Sequence, residues 1–343
     1  MPAESPVVPL REPLLRTRDL KKYFPVRRAS LRGPTEYLRA VDGVDLELSE
    51  GETLGLVGES GCGKTTLSRL VLGLIEPTAG TVEFEGKDIT RVPHRTRKQL
   101  TREMQIVFQD PMGSLDPRKR VGSLIAEGLQ AHGIGTKAER QDHTREMLTK
   151  VGLRPSAVDK YPHQFSGGQR QRIAIARALA LNPKFVVADE PVSALDMSIQ
   201  AQILNLLVEL KDEFALTYLF VAHDLAVVSH ISDRVAVMYL GRIVEIGPVE
   251  QVLRRPAHPY SRALMSAVLE PQVGRSRHRL VLTGDVPSPV HPPSGCRFRT
   301  RCPIAQPVCT ELDPKLQSVE TRHDVACHFP ILDSVDHPGR SGI

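Results

Sequence analysis

The chain has 343 residues, 41% of them hydrophobic and 25% charged, with a formal net charge of +5. That length holds one large domain or two smaller ones, and no apolar run is long enough to span a bilayer. The basic balance allows a nucleic-acid or anionic-lipid partner without requiring one, but with no Trp and few aromatic residues base-stacking platforms are not expected.

Residues 1–12 hold three prolines and little pattern, and read as a disordered lead-in. They lack the basic-then-apolar order of a secretory signal, so a cytosolic protein is expected. Leu14 to Phe24 and Leu38 to Leu48 read as strands on either side of a basic, Gly- and Pro-containing insert, residues 25–37. Tyr23 and Phe24 lie just before the insert. Two readings stay open for such aromatics: stacking on a nucleotide base, or filling the core.

Glu52 to Val57 is a short apolar strand, and it runs into Gly58-Glu59-Ser60-Gly61-Cys62-Gly63-Lys64-Thr65, which fits G-x-x-x-x-G-K-[ST]. Thr66 to Leu72 has helical spacing. Strand, glycine loop and helix together are the context a phosphate loop needs. Its glycines let backbone N–H groups turn inward onto phosphate oxygens, and the helix N-terminus adds a favourable dipole. Lys64 can reach the β- and γ-phosphates, and the Thr65 hydroxyl can ligate Mg²⁺.

Thr81 to Gly86 alternates like a strand. Met104 to Phe108 is another apolar run, and it delivers Gln109. From about 112 to 165 the helical stretches Val121–Gln130 and Lys137–Val151 indicate a helical insertion into an α/β domain. Ser166-Gly167-Gly168-Gln169 opens the next helix with the pattern of a capping box. The box does not explain two adjacent glycines at a helix start; a phosphate approaching the backbone would.

Phe185 to Glu190 is an apolar strand ending in two acids, as expected of a parallel strand covered on both faces. Asp189 and Glu190 therefore stand where open α/β sheets bind ligands. Asp189 is placed to hold Mg²⁺ and Glu190 to activate a water. Pro191 to Asp196 turns into an amphipathic helix, 198–214. The strand Tyr218–Ala222 ends at His223, which is expected to contact phosphate. Arg234–Leu240 and Arg242–Ile246 read as a hairpin, with helices near 249–254 and 259–269. Residues 271–294 are a Pro-rich linker and 331–343 a polar tail, and no internal repeat is visible.

Taken in order, the Gly58–Thr65 loop, Gln109, Ser166–Gln169, Asp189-Glu190, Ser193–Asp196 and His223 resemble the Walker A, Q-loop, signature, Walker B, D-loop and H-loop of an ABC-type ATPase. The resemblance covers about residues 14–270. Arg39-Ala40-Val41-Asp42-Gly43, the stretch from His258-Pro259-Tyr260 to Leu264, and Gly295-Cys296-Arg297-Phe298 through Arg301-Cys302-Pro303 further resemble the ATP-binding subunits of oligopeptide, dipeptide and nickel importers.

The resemblance implies an α/β P-loop NTPase fold with an antiparallel β subdomain and a helical insertion. It implies an ATPase domain over residues 13–270 and a linker and Cys-containing C-terminal region over 271–330. It implies ATP held between two subunits: Gly58–Thr66, Gln109, Asp189, Glu190 and His223 from one, and Ser166, Gly167, Gly168 and Gln169 from the other. Lys64 would hold phosphates, Glu190 would be general base, and His223 would steady the γ-phosphate. Thr65, Asp189 and Gln109 would attend Mg²⁺, and Phe24, with Tyr23 second, would stack on adenine. The implied partners are two membrane permease subunits, a second and distinct ATPase subunit and, through the complex, an extracytoplasmic solute-binding protein, with this chain at the cytoplasmic face of the cell membrane. The implied work is ATP-driven uptake of di- and oligopeptides. Nickel or another small solute is the alternative cargo, and a soluble ATPase acting on nucleic acid or ribosomes the alternative function. No nucleic-acid partner is expected.

Cys296, Cys302, Cys309 and Cys327 are spaced C-x₅-C-x₆-C-x₁₇-C. Structural zinc favours C-x₂₋₄-C pairs, whereas a [4Fe–4S] cluster needs four thiolates at variable spacing. Cluster, zinc and reduced unliganded thiols all stay open. Arg297, Arg299 and Arg301 lie among the first ligands, where they are expected to offset a cluster's charge or to touch a membrane subunit. Cys62 stands apart as a small loop residue.

Overall fold

The computed structural model describes residues 12–26, 35–268 and 284–332. Nearly all of the expected lead-in, most of the basic insert 25–37, the first half of the linker 271–294 and most of the tail 331–343 lie outside the described residues. The N-terminal half runs β1 (Leu15–Pro25), β2 (Tyr37–Leu48), β3 (Thr53–Val57), α1 (Lys64–Val71), β4 (Ala79–Phe84), β5 (Lys87–Asp88), α2 (His94–Glu103) and β6 (Met104–Val107). A helical stretch follows: α3 (Pro111–Ser114), α4 (Val121–Ala131), α5 (Lys137–Lys150), two 3-10 turns and α6 (Gly167–Leu179). The chain continues through β7 (Phe185–Asp189), α7 (Met197–Phe214), β8 (Thr217–Ala222), α8 (Leu225–Ile231), β9 (Arg234–Tyr239), β10 (Arg242–Pro248), α9 (Val249–Arg254) and α10 (Pro259–Val268). It closes with α11 (Val308–Glu311), β11 (Gln317–Glu320) and β12 (His323–Val325).

Two sheets form. One is antiparallel, β2-β1-β4-β5; the other has eight strands in the order β11-β12-β10-β9-β3-β8-β7-β6. Within the larger sheet, neighbours from β9 through β6 are parallel, so their carboxyl ends share one edge. These strands are largely apolar because both faces are covered. Val186, Ala188, Tyr218 and Phe220 feed the core under the helices. The alternate residues Phe185, Val187, Leu219 and Val221 feed a second core shared with the antiparallel sheet. A strand buried in this way has one register that keeps both cores filled, which fixes where its last residue falls.

The stretch around 112–165 is helical. Val121, Leu124 and Ile125 of α4 pack with Met147 and Leu148 of α5 in the core that also takes Ile173 and Ile175 of α6. The segment after residue 284 is joined to the rest of the molecule: β12 pairs with β10, Val325 opposite Glu245, and so extends the main sheet. Among the described residues, no helix is long and apolar enough to cross a membrane.

Candidate functional site

The glycine loop lies between the carboxyl end of β3 and the start of α1. Gly63 has φ 114°, and a Cβ there would come within 2.1 Å of the Ala40 carbonyl oxygen, so only glycine fits. No side chain caps α1, which leaves the first-turn N–H groups facing the loop. Lys64 is buried, its Nζ donating to the carbonyls of Gly58 at 2.8 Å and Glu59 at 3.2 Å. Ser60, Gly61 and Thr65 are exposed and Thr66 half-buried, so this ring of donors opens outward. Cys62 is buried, and that burial pushes its thiol above its ordinary pKa.

Three parallel strands deliver their last residues beside this loop. The Thr65 hydroxyl donates to Asp189 Oδ1 at 3.4 Å across the β3–β7 gap. Burial holds the Asp189 carboxyl above the usual carboxylate range, and the neighbouring Glu190 charge adds to that, while the Thr65 bond opposes it. A buried carboxylate of this kind gains from a cation. Glu190 leaves the strand at φ 49°, a left-handed conformation that costs a non-glycine residue roughly 1–3 kcal/mol. The strain is held by its own N–H bonding to the Val221 carbonyl at 2.9 Å and by the Ser193 hydroxyl donating to its carbonyl at 3.1 Å.

That turn aims the Glu190 carboxylate at two side chains. Gln109 Nε2, two residues beyond β6, donates to Glu190 Oε2 at 3.0 Å, and His223 Nδ1, one residue beyond β8, lies 3.4 Å from the same oxygen. Beside them is a cavity of about 50 Å³ lined by Glu190, Ser193, Gln200, His223 and Asp224. That is room for a water next to a carboxylate able to take its proton. Lys64, Thr65, Asp189, Glu190, Gln109 and His223, singled out separately in the sequence, thus form one cluster. Ser193 was named in the sequence with the turn Ser193–Asp196; Gln200 was not singled out, since a helical glutamine carries no distinguishing pattern.

The helix start at Ser166 stands apart. The capping box is present, Ser166 Oγ accepting the Gln169 N–H at 3.3 Å and Gln169 Oε1 accepting the Ser166 N–H at 3.1 Å. Ser166, Gly167 and Gln169 are exposed. The two glycines have different causes. A Cβ on Gly168 would meet Ile199 Cγ2 of α7 at 2.5 Å, so packing by itself already calls for glycine there. A Cβ on Gly167 would meet only Leu195 at an ordinary 3.5 Å, so packing gives no reason for that one.

The aromatics ahead of the loop also divide. The Tyr23 hydroxyl donates to Asp42 and its ring lies under the Arg39 guanidinium, 5.8 Å from the centroid; burial and the Asp42 bond raise its pKa to about 12. Phe24 is 38% exposed, with the Lys22 ammonium 5.1 Å over its ring.

The four C-terminal cysteines line one cavity, walled by Pro259, Phe298 and Phe329. All are free thiols. Burial pushes Cys296 and Cys327 up to about 11. Among the described residues no group of three or more His, Cys, Asp or Glu could hold a metal ion. The thiols thus face one cavity without closing on a point. Of the arginines among them, Arg299 lines this cavity, whereas the other two are engaged elsewhere. Arg297 crosses to Asp42 and the Leu240 carbonyl, and Arg301 grips Glu59 of the glycine loop with Nη1–Oε2 2.7 Å and Nη2–Oε1 3.0 Å. Arg299 turns back to the Ser294 carbonyl at 2.9 Å. Arg297 and Arg301 are buried against the ATPase fold, so they face neither solvent nor a membrane subunit.

Comparison with known proteins agrees with this geometry. The ABC transporter family model matches residues 41–193, and the model for the oligopeptide/dipeptide transporter C-terminal region matches residues 244–309. The oligopeptide transport ATP-binding protein AppF of Bacillus subtilis is 51% identical, over 93% of this chain and 98% of its own. OppF of Salmonella typhimurium, also an oligopeptide transport ATP-binding protein, is 50% identical over 94% and 97%. Among solved structures, the ATP-binding cassette MJ0796, a dimer in a post-hydrolysis state with ADP and Pi, aligns with a TM-score of 0.61 and 28% identity over 68% of this chain and 98% of its own.

Proposed function

The chain belongs to the ABC transporter family, among the ATP-binding proteins of peptide import, and from that premise we propose that it hydrolyses ATP to energise uptake of di- and oligopeptides through a membrane complex. The observation that carries the catalytic part is the convergence of Gln109 and His223 on one oxygen of Glu190, beside the Thr65–Asp189 contact.

In this reading the N–H groups of Ser60 to Thr66 and the Lys64 ammonium cradle the triphosphate. Lys64 exchanges its bonds to the loop carbonyls for phosphate oxygens. Thr65 and Asp189, with Gln109, are the groups that would attend Mg²⁺; the oxygen donors and the raised pKa of Asp189 fit a hard cation. That ion would neutralise charge developing on the phosphates. Glu190 takes the proton of the attacking water, Gln109 orients that carboxylate and senses the occupied site, and His223 steadies the γ-phosphate. The exposure of Ser60, Gly61 and Thr65 supports a nucleotide covered from outside by the Ser166–Gln169 helix start of a mate ATPase, with Gly167 at the point of approach. Phe24 is the adenine-stacking residue, since Tyr23 is engaged with Asp42 and Arg39.

The proposed assembly has two permease subunits, a distinct sister ATPase and a solute-binding protein outside. The proposed division is an ATPase domain over 13–270 and a C-terminal region over 271–330. We place a [4Fe–4S] cluster on Cys296, Cys302, Cys309 and Cys327: four thiols on one cavity supply the donor set. A single zinc would need the sulfurs about 2.3 Å from one centre. Iron and acid-labile sulfide found after anaerobic purification would support the cluster; a metal-free protein would end that assignment.

The shared-pocket reading is tested in proteoliposomes carrying the whole complex, with labelled peptide outside and ATP at the cassettes. Ser166→Arg is expected to abolish coupled uptake while leaving nucleotide binding to the Lys64 loop intact. Undiminished ATP-driven uptake by that variant would remove the mate's helix from the site.

A further inference from the structure

The second residue of the phosphate loop is a glutamate, which is the wrong charge for a loop that receives a polyanion. Glu59 is not left to itself. Both of its carboxylate oxygens are taken by the Arg301 guanidinium, at 2.7 and 3.0 Å. Arg301 is only 8% exposed, and its guanidinium sits over the Tyr239 ring, 5.9 Å from the centroid. A planar, bidentate, largely dehydrated pair is the geometry in which arginine cannot be replaced by a point charge without loss.

The backbone of the same residue is held too. The Glu59 N–H donates to the Tyr260 hydroxyl at 2.9 Å. Tyr260, Tyr239 and Phe298 form one aromatic block, with centroids 4.6 to 5.4 Å apart. The Arg301 N–H closes a turn on the Phe298 carbonyl at 2.9 Å, so the side chain that grips the loop and the ring behind it belong to one short stretch beside Cys302. The Glu59 carbonyl is meanwhile an acceptor for Lys64, 3.2 Å away. All three polar groups of Glu59 are therefore fixed, two of them by residues outside the loop.

We propose that Arg301 is a positioning residue for ATP binding: by neutralising Glu59 in the first turn of the phosphate loop, the C-terminal region sets the cassette's affinity for nucleotide. The inference rests on the reading of Gly58–Thr65 as the phosphate loop. It makes no contact between Arg301 and the nucleotide, so its signature is in affinity rather than in the chemical step. Without Arg301, a carboxylate stays near the phosphates in a partly dehydrated place. At an effective dielectric constant of about 20–40, one such charge some 8 Å away weakens anion binding by about tenfold or more.

The experiment uses the full-length chain in its transporter complex and measures ATP dissociation constant, KM and kcat, with thermal unfolding as a check on folding. Lys64→Ala comes first; if it still binds ATP as wild type, the phosphate-loop reading itself fails, independently of Arg301. With that reading intact, Arg301→Ala is expected to raise the ATP dissociation constant and KM about tenfold with kcat within about threefold. Arg301→Lys should fall between the two. The deciding variant is Glu59→Gln combined with Arg301→Ala: removing the stranded charge should restore affinity to within about threefold of wild type. An unchanged KM in Arg301→Ala overturns the proposal. So does a double variant that binds as weakly as the single one, since that is what a merely structural role would give.

Discussion

The catalytic mouth and the junction behind it hold similar side chains in opposite conditions. At the mouth, Glu190 has a strained backbone, and its carboxylate meets one amide and one imidazole beside a small cavity. At the junction, Glu245 is fully buried and accepts the N–H groups of Ala257 and His258 at 2.8 and 2.9 Å, and faces His323 Nε2 at 2.8 Å. Asp42 there is 3% exposed and is gripped by Tyr23 and Arg297. Charge therefore does not mark the chemistry in this molecule; spare hydrogen-bonding capacity does. A saturated buried carboxylate anchors, and a thinly bonded one on a strained turn can exchange partners and protons.

The largest test of that contrast is Glu190→Gln. The amide keeps the size and the Gln109 contact but cannot take a proton. ATP turnover by the assembled complex should fall by about 10²–10⁴-fold with ATP affinity retained. Turnover within a few-fold of wild type would move the base elsewhere, Asp224 being the other acid that lines the cavity.

Arg297→Ala attacks the other region. It leaves the Asp42 carboxylate buried with Tyr23 as its close partner, and Arg242 at 3.7 Å. Burial lifts the Asp42 carboxyl, but its partners outweigh that and hold it below the usual carboxylate range, so it stays charged. Removing one partner of such a pair costs about 3 kcal/mol. The variant should unfold at lower urea or temperature, while kcat per folded molecule stays as in wild type. A variant with normal stability and depressed kcat would merge the two regions into one functional unit.

How far sequence reached differs between the regions for the same physical reason. The mouth is built from strand ends, and a strand buried on both faces advertises itself as an unbroken apolar run. Phe185–Asp189 and Tyr218–Ala222 therefore announced where Asp189, Glu190 and His223 would stand. Parallel pairing then brought those ends together with no further information. The Ser166 capping box was legible because its two halves are three residues apart. The junction is long-range. Arg297 meets Asp42 across 255 positions and Arg301 meets Glu59 across 242, so local charge pattern suggested a cluster or a membrane subunit instead. The packing reason for Gly168 was hidden likewise, because the Ile199 side chain that excludes a Cβ lies on another helix. Strands β11 and β12 were missed because Gln317–Glu320 is polar and short; they exist by adding to the edge strand β10 rather than by their own pattern.

The smallest effect concerns pH, and it separates the regions most cleanly because only the junction buries a neutral imidazole. His258 Nδ1 accepts the Tyr260 N–H at 3.0 Å, so that nitrogen carries no proton. Burial pushes the ring's pKa down to about 4, against the opposing pull of the Glu245 carboxylate. In the unfolded chain the same ring takes up its proton near pH 6.5. Between those values the unfolded state binds more protons than the folded one. The contribution of His258 to stability is thus complete above about pH 6.5 and is lost as pH falls toward 4. The slope approaches about 1.4 kcal/mol per pH unit, or about 2 kcal/mol between pH 6.5 and 5. His258→Asn keeps an acceptor for the Tyr260 N–H and removes the titrating group. The stability difference between wild type and this variant, from urea unfolding at the two pH values, should move by that amount in the variant's favour at low pH. Glu245 and His323 are the same in both proteins, so whatever they contribute largely cancels in the difference. A difference that does not change with pH would mean the ring is charged or wet in the folded protein, and the junction would lose the dryness that sets it apart from the mouth.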